Sequence, residues 1–185
     1  NPSDLGKTRN LENNVLMLPY WLLTYEEMLA MLLDRSDSNA PNQAMVFSRT
    51  VFNEKVNFLN SIGDTSFKDS ITIDSPIPYS LENILNELKR LDNEQVAGST
   101  TAGKAGDFKG KLSRFIQRLE AKSQDKRLGF MFQISEDELH IDWMNKLCNS
   151  LMQGSNGNSK KAGVKVIDFS EVPSDILPLV IGLVA

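Results

Sequence analysis

Ser80-Leu-Glu-Asn-Ile-Leu-Asn-Glu-Leu-Lys-Arg-Leu91 is the stretch that decides the fold. Leu81, Ile84, Leu85, Leu88 and Leu91 recur at three- and four-residue spacing, which puts them on one inward helical face. Ser80 precedes the first apolar residue, where its hydroxyl can hold an otherwise unpaired amide of the first turn. Working outward, the same pattern returns several times. After a low-complexity loop from Asn93 to Gly106, a helix is expected to bury Phe108, Leu112, Phe115, Ile116 and Leu119. Leu128-Gly-Phe-Met-Phe132 reads as a short strand. Ser135 and Glu138 form a capping box that should open a helix with Leu139, Trp143, Leu147, Cys148 and Leu151 on its apolar side. Cys148 is then a small core residue. A flexible tract from Gly154 to Gly163 leads to Val164-Lys-Val-Ile-Asp-Phe169, the best strand in the sequence, and an apolar helix follows the turn at Ser170 to Pro173.

Upstream, Ser70-Ile-Thr-Ile-Asp74 is β-branched and brief, and Pro76 and Pro78 prevent its extension. A long helix is predicted from about Pro41 to Gly63. Its apolar residues Met45, Phe47, Val51, Phe52, Val56, Phe58, Leu59 and Ile62 cover a stripe wide enough for burial on more than one side. Asp34-Arg-Ser-Asp-Ser-Asn39 is a polar break. Before it, Thr24 and Glu27 make a capping box for a helix with one buried face formed by Tyr25, Met28, Leu29, Leu32 and Leu33. The predicted fold class is mainly α with a few short strands, a helical bundle attached to a fragment of an α/β core.

Composition narrows the chemistry. A hydrophobic share of 41% and a charged share of 24% are those of a globular protein. One cysteine excludes an internal disulfide framework or a cysteine-cluster zinc site, and one histidine excludes a histidine-rich metal site. The polar segment Asn1 to Asn14 lacks a secretory pattern. With the single cysteine, it points to a reducing, cytoplasmic setting without a membrane span. Ile176 to Ala185 is almost continuously apolar but short of the roughly 20 residues that cross a bilayer. It reads as a buried helix, and the chain is therefore expected to be an internal piece of a longer protein.

Gly98-Ser-Thr-Thr-Ala-Gly-Lys-Ala105 follows the phosphate-loop pattern through Lys104, then fails, because Ala105 has no hydroxyl for magnesium. It reads as a linker. His140 and Asp142 lack a neighbouring nucleophile and read as surface residues. No catalytic, cofactor-binding or metal residue is assigned. The charge distribution says more. Lys104 to Arg127 carries eight basic residues against three acidic ones, in a chain of net charge -4. Lys111, Arg114, Arg118 and Lys122 recur along one helical face and are the candidate nucleic-acid contacts.

Three segments in order carry a resemblance. They are Leu18-Pro-Tyr-Trp-Leu-Leu-Thr-Tyr-Glu-Glu-Met28 with Leu32-Leu-Asp-Arg-Ser36 and Asn42-Gln43; Asp74-Ser-Pro-Ile-Pro-Tyr-Ser80; and Val166-Ile-Asp-Phe-Ser170 with Val172-Pro-Ser-Asp-Ile-Leu-Pro178. Together they resemble the HerA branch of the HerA/FtsK superfamily of RecA-like ATPases. The resemblance implies that 1–23 is a lead-in from a RecA-like core, 24–153 a helical bundle, 154–163 a linker, and 164–185 a returning strand and buried helix of that core. It implies a parent protein that hydrolyses ATP with magnesium, a homo-hexamer on double-stranded DNA with a nuclease or effector partner, serving repair or phage defence. Asp168 and Ser170 match the strand-end motif as positioning residues. The ATP site itself would lie outside this chain, which would be inactive alone. The alternative is a non-enzymatic helical module for protein–protein interaction.

Overall fold

The computed structural model describes residues 16–64, 69–96, 104–152 and 166–184. Among them are seven α-helices and one two-stranded sheet, so the chain is mainly helical. No described helix is long and apolar enough to cross a membrane. The chain divides into two compact units, Leu23–Lys122 and the pair Asn1–Leu22 with Ser123–Ala185.

The first unit begins with α1 (Tyr25–Leu32), where the expected capping box forms. The Thr24 amide donates to Glu27 Oε2 at 2.7 Å and the Glu27 amide donates to Thr24 Oγ1 at 3.3 Å. Helix α2 (Ala40–Ser61) stops before Gly63, whose φ of 71° suits a residue without a Cβ. Its buried face is Ala40, Gln43, Val46, Phe47, Thr50, Val51, Lys55 and Leu59. The expected burial on more than one side is therefore corrected, since Met45, Phe52 and Ile62 are exposed. One stripe at helical spacing serves as the core face, and it accepts three polar residues to keep register.

Helix α3 (Leu81–Asn93) is capped by Ser80 Oγ, which accepts from the Asn83 amide at 3.2 Å. Ile84, Leu88 and Leu91 are buried. The predicted loop from Asn93 to Gly106 is closed at its base by strands β1 (Gln95–Val96) and β2 (Lys104–Ala105), paired antiparallel. Residues 97–103, which hold most of the glycine-rich sequence, lie outside the described part. Helix α4 runs from Ser113 to Gln124. It starts later than expected because Gly110 sits at φ 72°, in the left-handed region, and ends the preceding turn. Asp92 at the end of α3 then holds its start, accepting from the Leu112 amide at 2.7 Å and Ser113 Oγ at 2.5 Å. Phe108 is half-buried in the turn, with the Arg49 guanidinium 5.7 Å from its ring centre. Phe47 of α2 meets Phe115 of α4 at a ring separation of 5.2 Å, in the tilted geometry that aromatic pairs favour.

Ser70 to Asp74 is not a strand. Its carbonyls are drawn into the unit by a lysine: Lys55 Nζ donates to Ile73 O at 2.5 Å and Ser75 O at 2.7 Å. Asp74 Oδ1 meanwhile accepts from the Tyr25 amide at 2.7 Å. With its polar groups spent this way, the segment forms a turn at Thr72–Ser75 instead of a ladder.

In the second unit a 3-10 turn, Tyr20–Leu22, follows the lead-in. The Leu18 amide donates to Phe130 O at 3.0 Å, and the Tyr20 and Phe132 rings stack with centres 5.8 Å apart. The predicted strand Leu128–Phe132 is corrected to a 3-10 turn, Lys126–Leu128, running into α5 (Gly129–Phe132). All four α5 residues are buried, and a short unbroken apolar run fits a buried helical turn as well as a buried strand. The Asp125 side chain favours the turn by accepting from the Arg127 amide at 2.9 Å.

Only half of the expected Ser135–Glu138 capping box forms: the Ser135 amide donates to the Glu138 carboxylate, but so does the Ser135 hydroxyl, and the Glu138 amide donates to the Ser135 carbonyl at 3.2 Å instead. Helix α6 begins only at Trp143 and runs to Met152. The Glu138 carbonyl, which an unbroken helix would offer to residue 142, accepts instead from Trp21 Nε1 at 2.9 Å. The Asp142 amide goes to His140 Nδ1 at 3.2 Å. A tertiary contact has displaced a helical one. Trp143 and Leu147 are buried, but Cys148 is exposed, which corrects its expected place in the core. Residues 166–169 form no ladder, so the predicted strand Val164–Phe169 is not seen in its described part; 164 and 165 lie outside it. The linker 154–163 is outside it as well. Helix α7 (Leu177–Val184) is apolar throughout, and Val180 is its buried residue.

Candidate nucleic-acid interface

The basic stripe sits at the start of α4, where the loop between α1 and α2 reaches it. That loop is shaped by its own aspartates. Asp34 Oδ1 accepts from the Ser36 hydroxyl at 2.6 Å and the Ser36 amide at 3.0 Å. Asp37 Oδ1 accepts from the Asn39 amide at 2.9 Å. Such aspartate turns replace backbone pairing where the chain reverses.

These carboxylates also face the cations. Arg118 Nη2 donates to Asp34 Oδ2 at 2.7 Å. The Ser36 donors, reinforced by Arg118, hold the Asp34 carboxyl down at about 2. Arg114 is looser: its Nη1 lies 3.9 Å from Asp37 Oδ2, and its side chain is 73% exposed against 6% for Asp37. The Asn39 amide is the main reason that the Asp37 carboxyl is also held below its ordinary range. Lys111 is exposed in the turn before α4, one residue short of the helix-flanking Leu112, so it is not on the helical face where spacing puts it. Lys122 is half-buried near the other end of α4.

Gln43 ties these parts together. Its Nε2 donates to Asp37 Oδ2 at 3.3 Å and to the Lys111 carbonyl at 3.0 Å, and the residue is buried. A polar cavity of about 220 Å³ opens beside it, lined by Asp37, Ser38, Asn39, Gln43, Gly110, Lys111 and Arg114. The four candidate cations are therefore not equivalent. Arg118 is spent on Asp34, whereas Lys111 and Arg114 flank the cavity and reach solvent. Sequence reasoning missed Asp34, Asp37 and Gln43. The two aspartates stand in a stretch that reads as a plain polar break, and only their spacing ahead of Ser36 and Asn39 hints at ordered turns.

Most of the phosphate-loop pattern from Gly98 to Ala105 lies outside the described residues. Lys104 and Ala105 lie in an exposed two-residue strand, not at the opening of a helix, and Ala105 offers magnesium no oxygen from its side chain. Among the described residues no three His, Cys, Asp or Glu side chains gather to hold a metal. His140 Nδ1 is 3.4 Å from Asp142 Oδ2, with both side chains more than half exposed. No family model matches the chain, and no curated protein matches its sequence.

Proposed function

We propose that this chain serves as an internal helical part of a HerA-like, ATP-driven DNA translocase, contributing duplex contact and leaving ATP chemistry to other parts of the parent. The observation that carries the reading is the ordered set of three motif segments between Leu18 and Pro178. Two features support it. The described residues are mainly helical, as an insertion into a RecA-like core would be. Helix α7 is wholly apolar yet keeps Ile181 exposed, so its surface suits a neighbour in a larger α/β core. In the parent, a homo-hexamer acting in the cytoplasm with a nuclease or effector would supply ATP and magnesium binding.

On this reading, Lys111 and Arg114 meet phosphates directly, and Arg118 is a positioning residue for the Asp34 loop. Each phosphate neutralised releases condensed counterions, so the salt slope of duplex binding falls by ~0.9 for each phosphate that a variant leaves without its cation. The natural polypeptide containing this chain should show ATP hydrolysis stimulated by duplex DNA, while the excised chain should not bind ATP by calorimetry. The Lys111→Ala/Arg114→Ala pair should retain hydrolysis without DNA and lose duplex retention in a mobility-shift assay. A natural polypeptide without ATP hydrolysis sinks the translocase reading. Unchanged DNA retention sinks the assigned contacts.

A second reading, a helical protein–protein module, draws on Met45 and Phe52, seven residues apart on the exposed side of α2. Substituting both with serine separates the two, since only the module reading expects partner capture to fail while DNA-stimulated hydrolysis persists.

A further inference from the structure

We propose that the polar cavity beside Gln43 is a binding site for a small phosphate monoester that carries a hydroxyl group, in chemical class a sugar or polyol phosphate. The inference shares Lys111 and Arg114 with the proposed duplex contact but stands without the translocase reading, because it starts from a buried amide and not from the exposed cations. The cavity, about 220 Å³, lies within the Leu23–Lys122 unit, where the start of α2 meets the turn before α4. That volume is below the ~300 Å³ at which sites for drug-sized molecules begin, so the occupant is small.

Gln43 lines the cavity and is 1% exposed. Its Nε2 donates to Asp37 Oδ2 at 3.3 Å and to the Lys111 carbonyl at 3.0 Å, which fixes the orientation of the amide. Turning the amide over would set its oxygen against those same two acceptors. Oε1 is thereby left as a buried acceptor, and no group among the described residues donates to it. Asp37 cannot, since its carboxylate offers only acceptors and already takes the Asn39 amide at 2.9 Å. Buried polar atoms are rarely left unpaired, and one on the wall of a polar cavity suits a ligand hydroxyl. The other lining groups ask for the opposite partner. Lys111 is exposed, and the Arg114 side chain is 73% exposed with Nη1 3.9 Å from Asp37 Oδ2, longer than a hydrogen bond. A phosphate monoester serves two cations better than a carboxylate does, because it brings a second negative charge and more acceptor oxygens. A hydroxyl and a phosphoryl group on one small frame therefore answer the Gln43 oxygen and both cations together. Binding is by hydrogen bonds and charge, with no covalent bond made or broken.

The test titrates the full chain in a calorimeter at low salt with glycerol phosphate and, separately, with methyl phosphate, which keeps the phosphoryl group and lacks the hydroxyl. Glycerol phosphate should bind one per chain. Methyl phosphate should bind ~10-fold more weakly, because a site built around a hydroxyl is left with an unpaired acceptor by the analogue. Arg114→Ala, at an exposed position, should weaken both probes ~10-fold. Gln43→Met should erase the difference between them. Circular dichroism verifies that this variant folds, and if it does not, the two probes on the native chain decide alone. The proposal is overturned if the native chain fails to bind glycerol phosphate, if methyl phosphate binds equally well, or if Arg114→Ala leaves both affinities unchanged. Duplex retention and ATP hydrolysis are not read here, so failure of the translocase reading leaves these titrations standing.

Discussion

Two cations in the Leu23–Lys122 unit are held in opposite ways. Lys55, in the middle of α2, is 1% exposed and donates to two backbone carbonyls, with the Tyr79 ring 5.6 Å from its ammonium. Arg118, on α4, stays partly exposed and meets the Asp34 carboxylate at 2.7 Å. One cation is buried with neutral partners, and the other is paired with a charge near water. The difference shows in their titration. Burial pushes the Lys55 ammonium down to about 8, with Asp74 opposing the shift only in part. The Asp34 carboxyl beside Arg118 instead goes down to about 2, chiefly through Ser36. Lys55 therefore organises the core at an electrostatic cost, while Arg118 holds a surface loop at little cost.

The sharpest way to break that comparison is to remove each ammonium or guanidinium. Lys55→Met keeps much of the volume but strands the Ile73 and Ser75 carbonyls, each worth ~1–3 kcal/mol when left without a donor. We expect a loss of about 3 kcal/mol in urea unfolding, with the 69–79 segment released from α2. Arg118→Met should cost at most ~1 kcal/mol, because its pair is shared with solvent. Equal losses would show that Lys55 is not the organising contact.

Proton linkage gives a second separation. The Lys55 pKa is lower in the folded state, about 8, than its ordinary 10.5. Between those values the unfolded chain binds more protons, so this residue makes stability rise with pH. Tyr25 acts oppositely, since burial, helped by the Glu26 charge, raises its pKa above 10.0 and its contribution is lost at higher pH. The clean window is therefore pH 8 to 10. There, native stability should climb relative to Lys55→Met, measured by urea midpoint at each pH. A gap that is flat across this window contradicts the buried ammonium.

At the acid end the slope has the same sign, since the unfolded chain again binds more protons between about 2 and 3.8. Asp34 ionises more readily when folded, so its contribution is present above 3.8 and is lost as pH falls towards 2. Asp34→Asn should lower stability slightly at neutral pH and flatten the acid limb of the profile below pH 4. This effect should be smaller than that of Lys55, given the exposure of the pair.

How much of this was legible beforehand follows from where the partners lie. The Thr24–Glu27 box and the Ser80 cap are local, made by residues three apart, and their chemistry is visible in sequence. So is the α3 stripe, where spacing alone selects Ile84, Leu88 and Leu91. Lys55 is the contrary case. A lysine in an amphipathic helix reads as solvent-facing, and nothing near it reveals carbonyls 18 and 20 residues away. Those carbonyls are also the reason that Ser70–Asp74 fails as a strand despite its β-branched residues. The helix expected after Ser135 fails for a like reason, because Trp21 takes the Glu138 carbonyl from 117 residues away. In the basic stripe, residue types identified the cations, but their availability is set by Asp34 and Asp37, more than 75 residues upstream.

That last distinction yields the smallest expected effect on folding and the most informative one for function. Arg114 touches its carboxylate only at 3.9 Å and is largely exposed, so Arg114→Ala should change stability by no more than ~0.5 kcal/mol. Arg118→Ala disturbs the loop that carries Asp34 and should cost more stability than Arg114→Ala. If phosphate contact follows exposure and not sequence spacing, the order inverts for duplex DNA: Arg114→Ala weakens retention more than Arg118→Ala does. Matched unfolding curves and mobility shifts on the two variants decide this. Equal DNA effects from both would mean that the Asp34 pair opens on binding, and that the loop, not the helix face, controls access.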